Sequence, residues 1–448
     1  MKCIKFVAVA LVAAAIAASV AGCGGIGALG CPPLPGNAEP PSSENPRVTS
    51  VTAEPAAHTT SAVELTSGVA ASGVDGKDAD DAFAASMAEF SIELFKATIL
   101  AEENSLISPL SVMLALAMAA NGADGETLAQ METLLGGTIP LAELNAYLYS
   151  YANGLPNEAK SELLIANSIW FRDDRGRLRV DEGFLQRNAD YFGAMAYKAA
   201  FDEQTVADIN NWVDENTNGM IDKILDSINE THNMYLINAV MFDAEWQNVY
   251  FKENIHEGIF TDIAGTEQRV DFMHSTEGAY LDGGMATGFI KPYANGGYSF
   301  AALLPNEDVT LEEYIESLSG ERFQNTMQSS QRATVFASMP KFEYEYEIMM
   351  NDALAALGMS DAFDVDKADF SRMADSSAGN IFISLVLHKT FISVDELGTK
   401  AGAVTMVAMD DGGAPMDTIT VRLDRPFVFA IIDNATSLPI FMGTLVTV

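Results

Sequence analysis

The residues able to do chemistry in this chain are few, and their spacing narrows what that chemistry can be. The five histidines stand at 58, 232, 256, 274 and 388. They make no metal-binding spacing, and His256-Glu257 lacks the second histidine of an H-E-x-x-H zinc site. No G-x-S-x-G or G-x-x-x-x-G-K-[ST] run occurs, so neither a hydrolase nucleophile elbow nor a phosphate loop is expected. The three cysteines, Cys3, Cys23 and Cys31, all fall within the first 31 residues, which leaves the rest without disulfide, thiolate ligand or thiol nucleophile. An enzyme is therefore disfavoured, and no metal or cofactor is expected. What remains is the stretch "VDELGTKAGAVTMVAMDDGGAPMDT", Val394 to Thr418. It begins like a strand, passes through small residues, favours strand again and ends as a solvated loop. On its residues alone it reads equally as a plain flexible loop or as a segment that is a loop at one time and a strand at another.

A strand placed inside a sheet must send alternate side chains to opposite faces. From Thr399 one set is Thr399, Ala401, Ala403, Thr405, Val407 and Met409; the other is Lys400, Gly402, Val404, Met406, Ala408 and Asp410. The first set is uncharged and starts small, as insertion between two packed neighbours requires. The second carries both charges. At roughly 1 kcal/mol net per main-chain hydrogen bond, inserting a dozen residues would release on the order of 10 kcal/mol.

The elements that must carry this segment begin with a targeting sequence. Lys2 and Lys5 precede an apolar run, Phe6 to Ala18, too short for a comfortable membrane span. Val20-Ala21-Gly22-Cys23 follows and resembles a bacterial lipobox, so residues 1–22 are expected to be a lipoprotein signal peptide and Cys23 the lipidated residue. Residues 23–80, rich in Pro, Ala, Ser, Thr and Gly, are expected to be a disordered tether. Its reach would be on the order of 40 Å. Gly25 to Gly30 matches G-x-G-x-x-G, but it follows a signal peptide and precedes prolines, so it is no dinucleotide site. The protein is thus expected to be exported, and either lipid-anchored to the cell membrane or released.

The 448-residue chain is 48% hydrophobic, enough for a large core, and its formal charge of -37 repels nucleic acid. The one basic knot, Arg172, Arg175, Arg177 and Arg179, is interleaved with Asp173 and Asp174 and reads as a solvated loop. From Asp81 onward the periodicity is regular. Phe83, Met87, Phe90 and Leu94 predict an amphipathic helix behind an Asp80-Asp81 cap. Ser108-Pro109 predicts a helix start, Asn121-Gly122 a stop, and Gly136-Gly137 the end of the next helix. Strands are predicted at 164–171, 236–242, 332–339, 419–433 and 439–448. Helices dominate early and strands late without β-α alternation, so residues 81–448 read as one α+β domain.

These pieces resemble the serpin family in order and over essentially all of 81–448. The resemblance is carried by "NSLISPLSVMLALAMAANGADGETLAQM" from Asn104, "IANSIWF" at 165–171, "INNWVDENTNGMI" at 209–221 and "LINAVMFDAEW" at 236–246. It continues through "KPY" at 291–293, "LLP" at 303–305, "MPKF" at 339–342, and "ALGM" and "ADF" between 356 and 370. It closes on "HKTFISVDELGTKAGAVT" from 388 and "RPFVFAIIDNATSLPIFMG" from 425. The resemblance implies a serpin fold with three β-sheets, about nine helices and an exposed reactive-centre loop. It implies a suicide-type inhibitor of serine proteases, acting as a monomer: the protease cleaves the loop, and the acyl-enzyme is trapped as the loop enters the central sheet.

The resemblance also assigns positions. Glu396, Gly398, Thr399, Ala401, Gly402, Ala403 and Val404 match the loop hinge. Ser108, Ser111, Asn238 and His388 match the shutter, where sheet strands part. Trp246 matches the tryptophan at the loop entrance, with Lys341 the implied partner of Glu396. The scissile bond, counted from the hinge, is Gly412-Gly413; counted back from Pro426 it lies nearer Pro415-Met416. Small or apolar residues there imply an elastase- or subtilisin-like target. Lys400 departs from the family, which commonly has an acidic residue there, and the loop is a few residues longer than in familiar members. The rival reading is a noninhibitory serpin-fold surface protein, against which the small uncharged hinge speaks.

Overall fold

The computed structural model describes residues 60–173, 176–229, 231–377, 379–399 and 418–448. The chain divides into Met1–Ala57, outside the described residues, and His58–Val448, which carries the fold. Among the described residues nine α-helices form. They are α1 (Asp81–Thr98), α2 (Pro109–Ala120), α3 (Gly125–Gly136), α4 (Leu141–Gly154) and α5 (Glu182–Phe192), then α6 (Glu203–Asn216), α7 (Leu311–Glu316), α8 (Gly320–Gln328) and α9 (Asn351–Ala356). Local chemistry sets their ends. The Asp80 carboxylate accepts the Ala82 and Phe83 amides at 3.1 and 3.0 Å, and Gly137 ends α3 at φ 60°. Every position of α2 is buried, which marks it as the central helix of the core rather than a surface helix.

A seven-stranded sheet packs over α2. Its order is β1 (Val63–Glu64), β5 (Met195–Ala199), β3 (Ser161–Arg172), β6 (Met234–Glu245), β15 (Gly398–Thr399), β14 (Leu385–Val394) and β12 (Phe342–Met349). A nine-stranded sheet runs β16 (Thr418–Arg422), β11 (Gln331–Pro340), β8 (Glu267–Asp282), β9 (Ala286–Pro292) and β10 (Tyr298–Pro305). It continues through β17 (Phe427–Asp433), β18 (Pro439–Leu445) and β2 (Ser105–Ile107), with β7 (Ile255–Thr261) paired to β8. A third sheet joins β13 (Ala374–Ser376) to β4 (Leu178–Val180). Strand alternation sorts the seven-stranded sheet between two cores. Leu236, Val240, Phe242 and Ala244 of β6 enter the main core. Tyr235, Ile237 and Ala239 enter a smaller one beneath α6, with Trp170, Ile209 and Trp212.

Two expectations are corrected. The predicted strand 419–433 is two strands, β16 parallel to β11 and β17 antiparallel to β10. Pro426 supplies no amide to a ladder, so the chain turns there and re-enters the same sheet elsewhere. The expected disordered tether of residues 23–80 is also corrected at its end, from residue 60 on. Residues 60–80 lie along the body: Val63 and Glu64 pair with Lys198 and Tyr197. The Asp208 carboxylate on α6 accepts the Ser61 and Ala62 amides at 2.9 and 3.0 Å. Burial pushes that carboxyl up, yet hydrogen bonds from Gln204, Ser61 and Ala62 outweigh it and hold it below its usual range. Low apolar content did not prevent ordering, because an open edge strand and a carboxylate supplied backbone partners. Residues 1–59, including Cys23, lie outside the described residues.

Candidate functional site

The candidate site is the seam between β6 and β14, the two central strands. Their parallel ladder runs from Tyr235–Leu385 to Ala239–Lys389. Further along, β15 stands between them: Gly398 and Thr399 pair with Glu245 and Ala244 of β6, and Thr399 with Val394 of β14. Gly398 and Thr399, two of the residues matched to the hinge, are therefore already in the sheet. Paired residues share a face, and Ala244 and Val394 both belong to the main core. Thr399 thus points inward; it is 2% exposed, with its hydroxyl 2.6 Å from that of Tyr293. Burial raises the Tyr293 pKa well above its ordinary value. Gly398 is required by close approach, since a Cβ there would meet the Ala244 carbonyl oxygen at 2.0 Å and the Glu245 Cα at 2.8 Å.

Around the hinge the chain builds an aromatic and hydrogen-bonded entrance. The Trp246 amide donates to the Leu397 carbonyl and its indole N–H to the Asp395 carbonyl, both at 2.8 Å. Its ring stacks on Tyr293 at 4.5 Å. The Tyr250 amide donates to the Glu396 carbonyl at 2.9 Å. Lys341 Nζ lies 2.5 Å from Glu396 Oε2, and this lysine holds the carboxyl below its usual range.

The residues matched to the shutter meet at mid-seam, because strand register lines them up. Asn167 of β3 pairs with Asn238 of β6, and Asn238 with His388 of β14. The Ser108 amide donates to His388 Nε2 at 3.1 Å, so Nδ1 carries the proton and donates to Asn238 Oδ1 at 2.7 Å. Asn238 Nδ2 in turn faces the Ser111 carbonyl at 2.9 Å, the Ser111 hydroxyl and the Asn167 amide oxygen. Ser108 Oγ accepts the Ser111 amide at 3.4 Å. Burial drives the His388 pKa down to about 3, so this network is neutral at ordinary pH.

The structure thus gathers Ser108, Ser111, Asn238 and His388 in one cluster, and Trp246, Lys341, Glu396, Gly398 and Thr399 in another. Lys400, Ala401, Gly402, Ala403, Val404 and the Gly412-Gly413 bond lie outside the described residues. Sequence reasoning missed Asn167, Tyr293 and Tyr250. The motifs "IANSIWF" and "KPY" contained the first two, but only cross-strand register and three-dimensional stacking disclose what they touch.

Comparison with known proteins agrees with this architecture. The family model for Serpin (serine protease inhibitor) matches residues 85–448; the chain belongs to the serpin family. It is 30% identical over 361 residues to human neuroserpin, covering 76% of this chain and 85% of that protein. The native-state crystal structure of Tengpin, a thermophilic serpin, is 56% identical, with TM-score 0.83, covering 86% of this chain and all of that one. Tengpin in its latent state is 55% identical and superposes less well, with TM-score 0.75 over 83% of this chain and 100% of that one.

Proposed function

We propose that this chain is an inhibitory serpin that traps serine proteases by inserting its cleaved loop between β6 and β14. The observation that carries the reading is Thr399, seated inward between the two strands with Gly398 fitted against β6. In an inserted strand the same parity would turn Ala401, Ala403 and Thr405 toward the core, and these are small or uncharged. The covalent chemistry belongs to the protease, whose serine forms the acyl-enzyme; this chain contributes the bait bond and the free energy of insertion. Relatives such as neuroserpin share the family, and most members inhibit serine proteases.

The bait bond is proposed at Gly412-Gly413, with an elastase- or subtilisin-like target, and the protein is proposed as a monomer of bacterial type. It is exported and lipid-anchored through Cys23 in this reading. Incubation with a panel of serine proteases tests it: a complex surviving boiling in detergent is expected. Cleavage by every protease without such a complex would sink the proposal. Mass spectrometry of the released carboxy-terminal fragment checks the bond, which a fragment starting outside residues 410–417 contradicts. Cys23→Ser should move the protein from the detergent phase to the aqueous one.

A further inference from the structure

Beneath the loop entrance lies a buried ion pair. Lys291 of β9 and Glu277 of β8 have side chains 1% and 6% exposed, with Nζ and Oε1 2.9 Å apart. Burying two charges is costly, and such a pair adds little net stability over an apolar filling. What the ammonium touches is specific. It donates to the Asn248 carbonyl at 3.1 Å and lies 4.2 Å from the Tyr250 ring centroid and 5.3 Å from that of Trp246. Glu277 also accepts the Ser275 hydroxyl at 2.6 Å, and Ser275 reaches the Tyr250 phenol at 3.4 Å. Three points on one short segment, Trp246 to Tyr250, therefore rest on a single cation.

The other side of that segment holds the turn before the hinge. The Trp246 and Tyr250 amides and the Trp246 indole bond the Leu397, Glu396 and Asp395 carbonyls. We infer that the Lys291–Glu277 pair positions the segment Trp246–Tyr250 as a clasp on Asp395–Leu397, and so sets how fast the hinge draws the loop into the sheet. This rests on the insertion reading above. Lys291 is a positioning residue in this account, acting through aromatic faces and one carbonyl on a turn it does not touch.

The test uses the full chain carrying Lys291→Met with Glu277→Gln, which removes the ammonium without stranding a buried carboxylate. Site-resolved amide hydrogen exchange compares Trp246 and Tyr250 with Ala301 and Phe429, which sit in the ladder between β10 and β17. Exchange at Trp246 and Tyr250 should rise at least tenfold while Ala301 and Phe429 stay within twofold. Uptake of a synthetic peptide with the sequence of residues 399–410 should accelerate in step. Unchanged exchange, equal acceleration at all four amides, or faster exchange without faster uptake would each overturn the inference. Should the double variant fail to fold, Tyr250→Leu keeps the pair and removes one ring; the same selective rise is expected, and its absence overturns the inference equally. Wild-type protein that takes up peptide yet traps no protease would remove the proposed function and leave the clasp standing.

Discussion

At the shutter, β6 and β14 touch directly, and the polar row Asn167–Asn238–His388 crosses the seam with no formal charge. At the entrance the same strands are separated by the hinge, and aromatic stacking with main-chain hydrogen bonds holds the turn above it. The difference is between a seam closed by direct strand pairing and one occupied by Gly398 and Thr399. A neutral buried network is stable only while every member is paired, so parting the strands there has a sharp threshold. At the entrance Gly398 and Thr399 already stand between the strands, and insertion in the proposed reading would continue with the same parity.

The largest expected effect tests that parity. Thr399→Arg puts a guanidinium where 2% of the residue is exposed and the partner is the Tyr293 hydroxyl. Burying it without a counter-charge costs roughly 3–5 kcal/mol, so the variant residue should leave the sheet, and its re-entry during the proposed insertion slows and leaves the protein a substrate. Detergent-resistant complex should fall at least tenfold while loop cleavage persists. Wild-type trapping by this variant would show that position 399 need not be buried for trapping.

The shutter should yield the next largest effect. Asn238→Ala removes the group that bonds His388, Ser111 and Asn167 at once. Leaving these polar groups unpaired should lower stability by about 2–4 kcal/mol in denaturant titration. A loss below about 1 kcal/mol would mean that water replaces the amide, and the shutter is then no threshold.

His388 makes the same contrast readable by pH. Its folded pKa is about 3 against an ordinary 6.5, so the unfolded chain binds the proton first. Its contribution is full above pH 6.5 and is lost as pH falls toward 3, at roughly 1.4 kcal/mol per pH unit inside that window. His388→Gln should flatten this part of the stability curve relative to wild type. Equal slopes in both proteins would show that the imidazole is solvated before unfolding.

How much of this was legible in the sequence depends on the range of the physics. Helix starts were readable because caps are local: Asp80 and Ser108 bond amides two or three residues on. Central strands were readable from apolar runs buried on both faces, as in β6. The α+β class and the serpin fold followed from the order of motifs. Residues 60–80 were misread because their partners, Lys198, Tyr197 and Asp208, lie more than a hundred positions away. The Lys291–Glu277 pair was invisible for a similar reason: each residue sits in a strand facing inward, and only the fold brings them together. Asn167 shows the intermediate case, quoted within a motif but given meaning by register alone.

The smallest expected effect is at Lys341, and it separates charge from packing at the entrance. Lys341 and Glu396 are 2.5 Å apart, but their side chains are 27% and 37% exposed. Water and salt therefore screen the attraction, and such pairs contribute about 0–1 kcal/mol. Lys341 holds the Glu396 carboxyl below its usual 4.5, so the contribution is present above that value and fades as pH falls through the lower folded one. Lys341→Met should lower stability by less than about 1 kcal/mol at low salt, with no difference from wild type near 1 M. A loss of several kcal/mol that persists in high salt would mean that the exposed ion pair, rather than Trp246 and its carbonyl partners, keeps the turn in place. The clasp would then have to be relocated from the 246–250 segment to β11 and its Lys341 end.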